Sequence, residues 1–463
     1  MSETSPPDSF RGDWITPDHI DYDSAILRWA RNSRRRAAAV AFVRDAADVV
    51  TVLAHTRSQK LPVAIRGGGH SVAGASSIEG GVVIDLSRYL NGARVDAEKR
   101  LAYVGGGALW KCVDEEGMKY GLATVGGTIN HTGVGGLILG GGIGHLMGEY
   151  GHVVDNLVQV TVVTADGQIL TASESESPEL FWGIRGGGSN FGVVTEFVLK
   201  MHPQRATVFC GNVIYPGPAL PAILAELDKW WEGGPSPRCS IIYFITLSPD
   251  GHPINILSFF YNGSEEEGRE YFKPFLDIGS VIDMAQEIPY ENENLKHDVN
   301  YYLKGVFTTR LRTSTAAQIQ ARIAELSPKI RVALTFVHEL FPSKKALSFD
   351  RDSTSFVRWE GISNLASATW TGDDSLERQE EARAALYELC AIVSTAEDKL
   401  SVGENTGYGN YLDEDTTKDV NGNIKREFKS AALFGDHYPR LQALKKKYDP
   451  EMMFNKWNTI VPA

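Results

Sequence analysis

Three glycine-rich tracts lie in the N-terminal part of the chain, and the first ends in His70-Ser71. They are Gly67-Gly68-Gly69-His70-Ser71, GGTINHTGVGGLILGGGIG from Gly126 to Gly144, and RGGGSNFG over 185–192. Consecutive glycines let a backbone approach a ligand closely and turn its N–H groups onto phosphate oxygens. Tight turns between short strands are the plainer use of such residues. Three tracts together point instead to an extended phosphate-bearing cofactor rather than one anion. The first tract also carries a titratable side chain, His70. No G-x-x-x-x-G-K-[ST] exists, which excludes a P-loop. Glycine spacings near 133–144 imitate G-x-G-x-x-G, but no strand–loop–helix unit with a downstream acidic residue encloses them, so a nicotinamide Rossmann site is a weak reading. His338 and Glu339 interrupt the apolar run VALTFVHELF (332–341), more simply read as part of a strand than as groups facing a ligand.

Regular elements must hold these loops. Asp45 is placed to N-cap a helix over AADVVTVLAHTRSQK, with Val49, Val50, Leu53 and Ala54 on one face. PVAIR (62–66), VVIDLS (82–87) and LAYVGG (101–106) read as strands, and 108–121 as a helix closed by Gly121. VQVTVVT (158–164), the turn Ala165-Asp166-Gly167 and QILTA (168–172) read as a hairpin. Beyond Pro203 the pattern changes. Helices over 218–233, 315–327 and 375–393 alternate with strand-like CSIIYFITL, INILSFFYNG, VALTFVHELF and NLASATW, which suggests an antiparallel sheet flanked by helices. The expectation is an α+β chain of two domains. A lead-in covers 1–32, a glycine-loop domain 33–203 and a sheet-and-helix domain 204–395, and the segment 396–463 returns to the first domain.

Composition narrows the partners. With 46 Lys+Arg against 58 Asp+Glu, the net charge of −12 repels nucleic acid and anionic membranes. No apolar stretch approaches the roughly 18 residues of a membrane span. The polar start MSETSPPDSF lacks a signal-peptide pattern, so cytoplasmic residence is the expectation. Cys112, Cys210, Cys239 and Cys390 show no metal-ligand spacing and suggest a reducing compartment, with a Cys210–Cys239 bridge left open. Nothing in the pattern speaks to oligomeric state.

VAIRGGGHSVAG, VVIDLS, GVGGLILGGGIGHLMGEYGHVVDNL, VVTADGQIL, ELFWGIRGGGSNFGVVTEF and the closing YDPEMMFN occur in the order found in one group of flavoproteins. Together they resemble the berberine bridge enzyme-like FAD-linked oxidases of the vanillyl-alcohol oxidase / p-cresol methylhydroxylase superfamily, with 6-hydroxynicotine oxidases as relatives. The likeness is strong in the glycine-loop segments and weak over 205–395. It implies FAD joined covalently to His70, with Arg66, Gly67, Gly68, Gly69 and Ser71 receiving the pyrophosphate. Many members carry a second link through the cysteine of C-P-x-V-G-V-G-G. Here Ile129 stands at that cysteine's place, and an apolar chain cannot attack the flavin, so a single linkage is implied.

The resemblance further implies that Gly126, Gly127, Thr128, His131, Thr132, Gly136, Gly141 and Gly142 continue the cofactor cleft. Asp155, Asn156, Gly192, Val193 and Val194 would shape its adenine and ribose end. Tyr408-x-Asn410-Tyr411-x-Asp413 matches the family's Y-x-N-Y-x-D, in which the first Tyr and the Asn contact FAD and the second Tyr serves as base. Tyr411 is therefore the first candidate for the base, with His131 and His338 behind it. A phenol with pKa near 10 needs positive potential nearby to serve at neutral pH. Trp359, Trp370, Tyr301, Tyr302 and Phe307 can line a pocket or fill a core, and core is the preferred reading for most of them. The implied reaction is hydride removal from a C–H bond of a small alcohol, amine, phenol or sugar, with oxygen reduced to hydrogen peroxide. A flavin dehydrogenase with another acceptor would differ in oxygen consumption. A flavin-loaded binding protein would show no substrate-dependent bleaching.

Overall fold

The computed structural model describes residues 5–292, 299–373, 375–396, 407–411, 416–418, 424–426 and 429–463. Its first layer carries the glycine loops. Ala39–Phe42, Val82–Asp85 and Val63–Arg66 form parallel neighbours in a four-stranded sheet, and Asp13–Ile15 adds an antiparallel edge. The segment 1–32 is thus more than an irregular lead-in, since it supplies a strand and the short helix Tyr22–Ala25. The expected helix runs Ala46–Gln59, and the Asp45 carboxylate caps it by accepting from the Asp48 amide at 3.1 Å. A five-stranded antiparallel sheet follows in the order Ala93–Asp96, Leu101–Gly105, Val193–Lys200, Leu157–Val163, Ile169–Ser173. Its last two strands are the hairpin anticipated at Ala165-Asp166-Gly167.

The larger sheet has eight strands. Thr207–Pro216, Pro253–Tyr261, Cys239–Leu247, Ala333–Leu340, Ile362–Trp370 and Asn300–Thr308 lie side by side, all antiparallel. Side chains alternate across a strand. Ile241, Tyr243, Leu334, Phe336, Ala366 and Tyr302 therefore share one face, where they pack with Leu220–Glu232, Thr313–Ile330 and Leu376–Ser394 into a single apolar cluster. The opposite set, Ile242, Phe244, Val337, Glu339, Leu365 and Leu303, looks toward the glycine loops. One sheet face is core and the other is a wall of the site.

The C-terminal motif closes the first layer. Lys445 and Asp449 are fully buried and meet at 2.6 Å. The Lys445 ammonium also donates to the carbonyls of Asn190 and Phe454, at 2.8 and 2.7 Å, while Asp449 accepts from the amides of Met453 and Phe454. YDPEMMFN thereby ties the tail to the third glycine tract. All four cysteines are free, which removes the Cys210–Cys239 bridge. Trp370, Tyr302 and Phe307 are buried, in line with a core role. Among the described residues no helix is long and apolar enough to cross a membrane, and no cluster of metal-ligating side chains occurs.

Candidate active site

A cavity of about 350 Å³ separates the glycine loops from the wall of the large sheet. Its first side is built by two loops that touch backbone to backbone. A Cβ on Gly68 would stand 2.5 Å from the Gly133 Cα, so neither loop tolerates a side chain there. Gly136 also lines the cavity, and a Cβ there would meet no atom within 4 Å, so its missing side chain leaves open space on the ligand side. Gly67, Gly69, Ser71, Gly127, Thr128, Thr132 and Val194 complete this side. Small residues, hydroxyls and backbone amides around an elongated space fit a flat ring system trailing a pyrophosphate.

His70 enters the cavity at the end of this loop. The Trp29 indole stacks on its ring, with centroids 4.2 Å and planes 13° apart. His70 Nε2 and His131 Nδ1 lie 3.2 Å apart. Burial, and then the neighbouring His131, press the His70 imidazole down to about 3. It is therefore neutral across the working range, as a nucleophilic nitrogen must be.

The opposite end is assembled from the C-terminal segment. Tyr408 is buried, and its hydroxyl accepts from the Gly142 amide at 2.9 Å and from Asn410 Nδ2 at 2.8 Å. Tyr411 packs edge-on against it, with ring centroids 4.8 Å apart. The Tyr411 hydroxyl donates to Glu339 Oε1 at 2.9 Å. Burial pushes the Glu339 carboxyl up to about 7, against smaller opposite pulls from Ser363 and Tyr411. Burial and then Glu339 hold the Tyr411 phenol well above its ordinary value. Among the described residues the positive potential expected from sequence does not act on Tyr411, and the Glu339 carboxyl stands beside it instead.

Several expectations shift. His338 lies on the helix-facing side of its strand, hydrogen-bonded to Asn364 Oδ1, because the period of two that points Glu339 inward turns His338 away. It is no base candidate. Arg66 is salt-bridged to Asp85 at 2.9 Å and donates to the Ala25 carbonyl, so it braces the loop instead of lining the cavity. Asp155 is buried against Arg358 and His152, and Asn156 holds His202; neither reaches the cavity. Gly126 lies beside a separate small pocket; Gly142 backs the site from behind through its amide to the Tyr408 hydroxyl, and Gly141 packs against the Phe356 ring outside the cavity. His131 acts on His70 from beside the cavity. Asp413 falls outside the described residues. Trp29, Trp457 and the apolar strand residues are additions that no sequence pattern announced, whereas alternation alone could have separated Glu339 from His338.

Fold and cavity together define a flavin-dependent oxidoreductase. An FAD binding domain model matches residues 37–173, and the berberine and berberine-like model matches 407–460. The FAD-linked oxidoreductase pgmH of Aspergillus terreus is 32% identical over 460 residues, covering 96% of this chain and 92% of that protein. The chain belongs to the berberine bridge enzyme-like FAD-linked oxidoreductases of the vanillyl-alcohol oxidase superfamily. The crystal structure of 6-hydroxy-D-nicotine oxidase from Arthrobacter nicotinovorans shares the fold, with a TM-score of 0.85, 24% identity and coverage of 99% of this chain and 100% of that one. Physcomitrella patens BBE-like 1 does likewise, at a TM-score of 0.82 and 20% identity, covering 98% and 97% of the two chains.

Proposed function

We propose that this enzyme carries its FAD on His70 alone and oxidises a C–H bond of a small organic substrate with an apolar body, using oxygen as final acceptor. What supports this most is the convergence of a neutral His70 and the Tyr411–Glu339 pair on one cavity. Gly67, Gly69, Thr128 and His70 would hold the FAD, which when bound would supply a two-electron acceptor for the substrate's hydride, with oxygen as the final oxidant. The protein supplies the proton path. A neutral phenol is a poor base, but an ionised Glu339 can take the Tyr411 proton as Tyr411 takes one from a substrate hydroxyl or amine. Ile242, Phe244, Leu303, Val337 and Leu365 offer contact area without hydrogen bonds, which suits an aromatic or aliphatic alcohol, amine or phenol better than a saccharide. Ile129 lines the cavity where a second link would form and has no nucleophile to offer.

The test begins with acid precipitation of the purified protein. Flavin should stay in the pellet, His70→Ala should release it, and peptide mass spectrometry should find one flavin-bearing peptide, containing residue 70. A cysteine-linked peptide, or covalent flavin in His70→Ala, overturns the anchor. A substrate screen scored for peroxide tests the rest; electron transfer to dyes without peroxide would make the enzyme a dehydrogenase.

A further inference from the structure

Three segments distant in sequence converge on His70. The Trp29 indole covers two imidazoles at once, with its centroid 4.2 Å from His70 and 6.1 Å from His131. The planes of those imidazoles are 23° from parallel, with centroids 5.1 Å apart, and Nε2 of His70 stands 3.2 Å from Nδ1 of His131. Each partner is fixed by its own backbone. The Trp29 amide donates to the Gly69 carbonyl at 3.1 Å, and its ring rests against Tyr301 at 4.7 Å. The His131 loop is pinned on both sides, by Lys111 N to Asn130 O at 2.7 Å and Trp110 N to Thr132 O at 3.1 Å. None of this contributes to the proton path at Tyr411 and Glu339.

Attachment of a flavin poses a separate proton problem. A C–N bond forms between an imidazole nitrogen and the 8α-methyl carbon. One methyl C–H and the imidazole N–H are lost as protons, and the released electron pair passes through the ring to oxygen, yielding peroxide. If His70 kept its proton while bonding carbon, the alkylated ring would be left cationic, so attachment is complete only when that proton has passed by way of an acceptor to solvent. In the tautomer whose Nε2–H points at His131 Nδ1, His70 Nδ1 is the unprotonated nitrogen and carries the lone pair that attacks. The N–H proton then has an acceptor 3.2 Å away.

We propose that His131 is the positioning group that accepts the His70 proton during flavin attachment, and that Trp29 holds the two imidazoles in register for it. This rests on the reading of His70 as the anchor. The readout is attachment itself: the fraction of bound flavin that stays with the chain in a denaturing gel, followed over time after adding FAD to freshly purified full-length protein. His131→Phe should bind flavin but attach it slower by about 10²-fold or more, the scale of a lost general base. His131→Asn keeps a hydrogen-bond acceptor but cannot take a proton. It should bind flavin fully, attach slowly, and speed up with rising pH where the wild type does not. Trp29→Ala should slow attachment and Trp29→Phe should restore it. Should His131→Phe fail to bind flavin, His131→Asn decides: wild-type attachment at every pH overturns the proposal. Covalent flavin in His70→Ala would sink the anchor reading instead, so the two failures are distinguishable.

Discussion

The phenol of Tyr411 donates to Oε1 of Glu339 at 2.9 Å, joining the C-terminal segment to a strand of the large sheet 72 residues earlier. The other carboxyl oxygen makes no hydrogen bond of good geometry among the described residues. A buried carboxyl so poorly satisfied resists ionisation; the Tyr411 hydrogen bond offsets this only in part, while Glu339 raises the proton affinity of the phenol. The two groups therefore titrate as a pair, and one negative charge is the most they hold near neutrality.

The pair predicts the pH dependence of flavin reduction. With Glu339 lifted to about 7, the competent carboxylate is scarce below that pH and dominant above it. The rate of reduction by substrate should rise through about pH 7 and then level. Glu339→Gln should remove the step and slow reduction by roughly 10²–10⁴-fold. A raised folded-state pKa means that Glu339 contributes stability fully below its unfolded value near 4.5, and that this is lost as pH rises through about 7. Glu339→Gln should consequently melt higher than wild type at pH 8 and lose that advantage at pH 4. Equal melting differences at both would show that Glu339 is not the titrating group.

Tyr411→Phe removes the phenol oxygen proposed as the base and leaves Glu339 in place. Stopped-flow reduction should slow by roughly 10²–10⁴-fold, while reoxidation by oxygen changes little because that half-reaction takes no proton from substrate. Unchanged reduction would hand the role of base to Glu339 acting directly.

Much of this architecture is legible locally. The Asp45 cap, the turn at Gly167 and the alternation in CSIIYFITL each depend on a few neighbouring residues, and all appear where the sequence places them. The glycine loops are legible for the same reason, since Gly68 and Gly133 exclude every other side chain. The site is less so. Alternation divides Val337 and Glu339 from Phe336 and His338, but which set sees the cavity depends on helices and loops far away in the chain. Trp29 carries no periodic signal at all, and its role arises from contacts with residues 70, 131 and 301. The Arg66 assignment failed because a buried Asp85 on the adjacent parallel strand claims the guanidinium.

The Lys445–Asp449 pair should be worth most when only one member is removed. Both are fully enclosed, and the ammonium serves three acceptors. Lys445→Met leaves an uncompensated buried carboxylate and should destabilise by about 3–5 kcal/mol, read from thermal or urea unfolding. The double change Lys445→Met with Asp449→Leu should recover part of that loss. If the single variant melts like wild type, the pair is not what fastens the tail to the Asn190 loop.

Thr132 offers the sharpest test of the oxidase reading. It lines the cavity three residues after Ile129, where the family resemblance places the side chain that gates oxygen's approach to the flavin. Its backbone is fixed, with its amide bonded to the Ile129 carbonyl at 3.1 Å and its carbonyl to the Trp110 amide at 3.1 Å, so a substitution there changes side-chain volume without freeing the loop. Threonine is close to valine in size, so the expectation is that it leaves room for a diatomic molecule to pass. Thr132→Leu adds apolar bulk and should slow reoxidation of the reduced enzyme markedly in oxygen stopped-flow, with substrate reduction little changed. Thr132→Gly should reoxidise at least as fast as wild type. Rapid wild-type reoxidation that neither variant alters would move the gate elsewhere. Sluggish wild-type reoxidation unaffected by Thr132→Gly would remove both the gate and the assignment of oxygen as the acceptor.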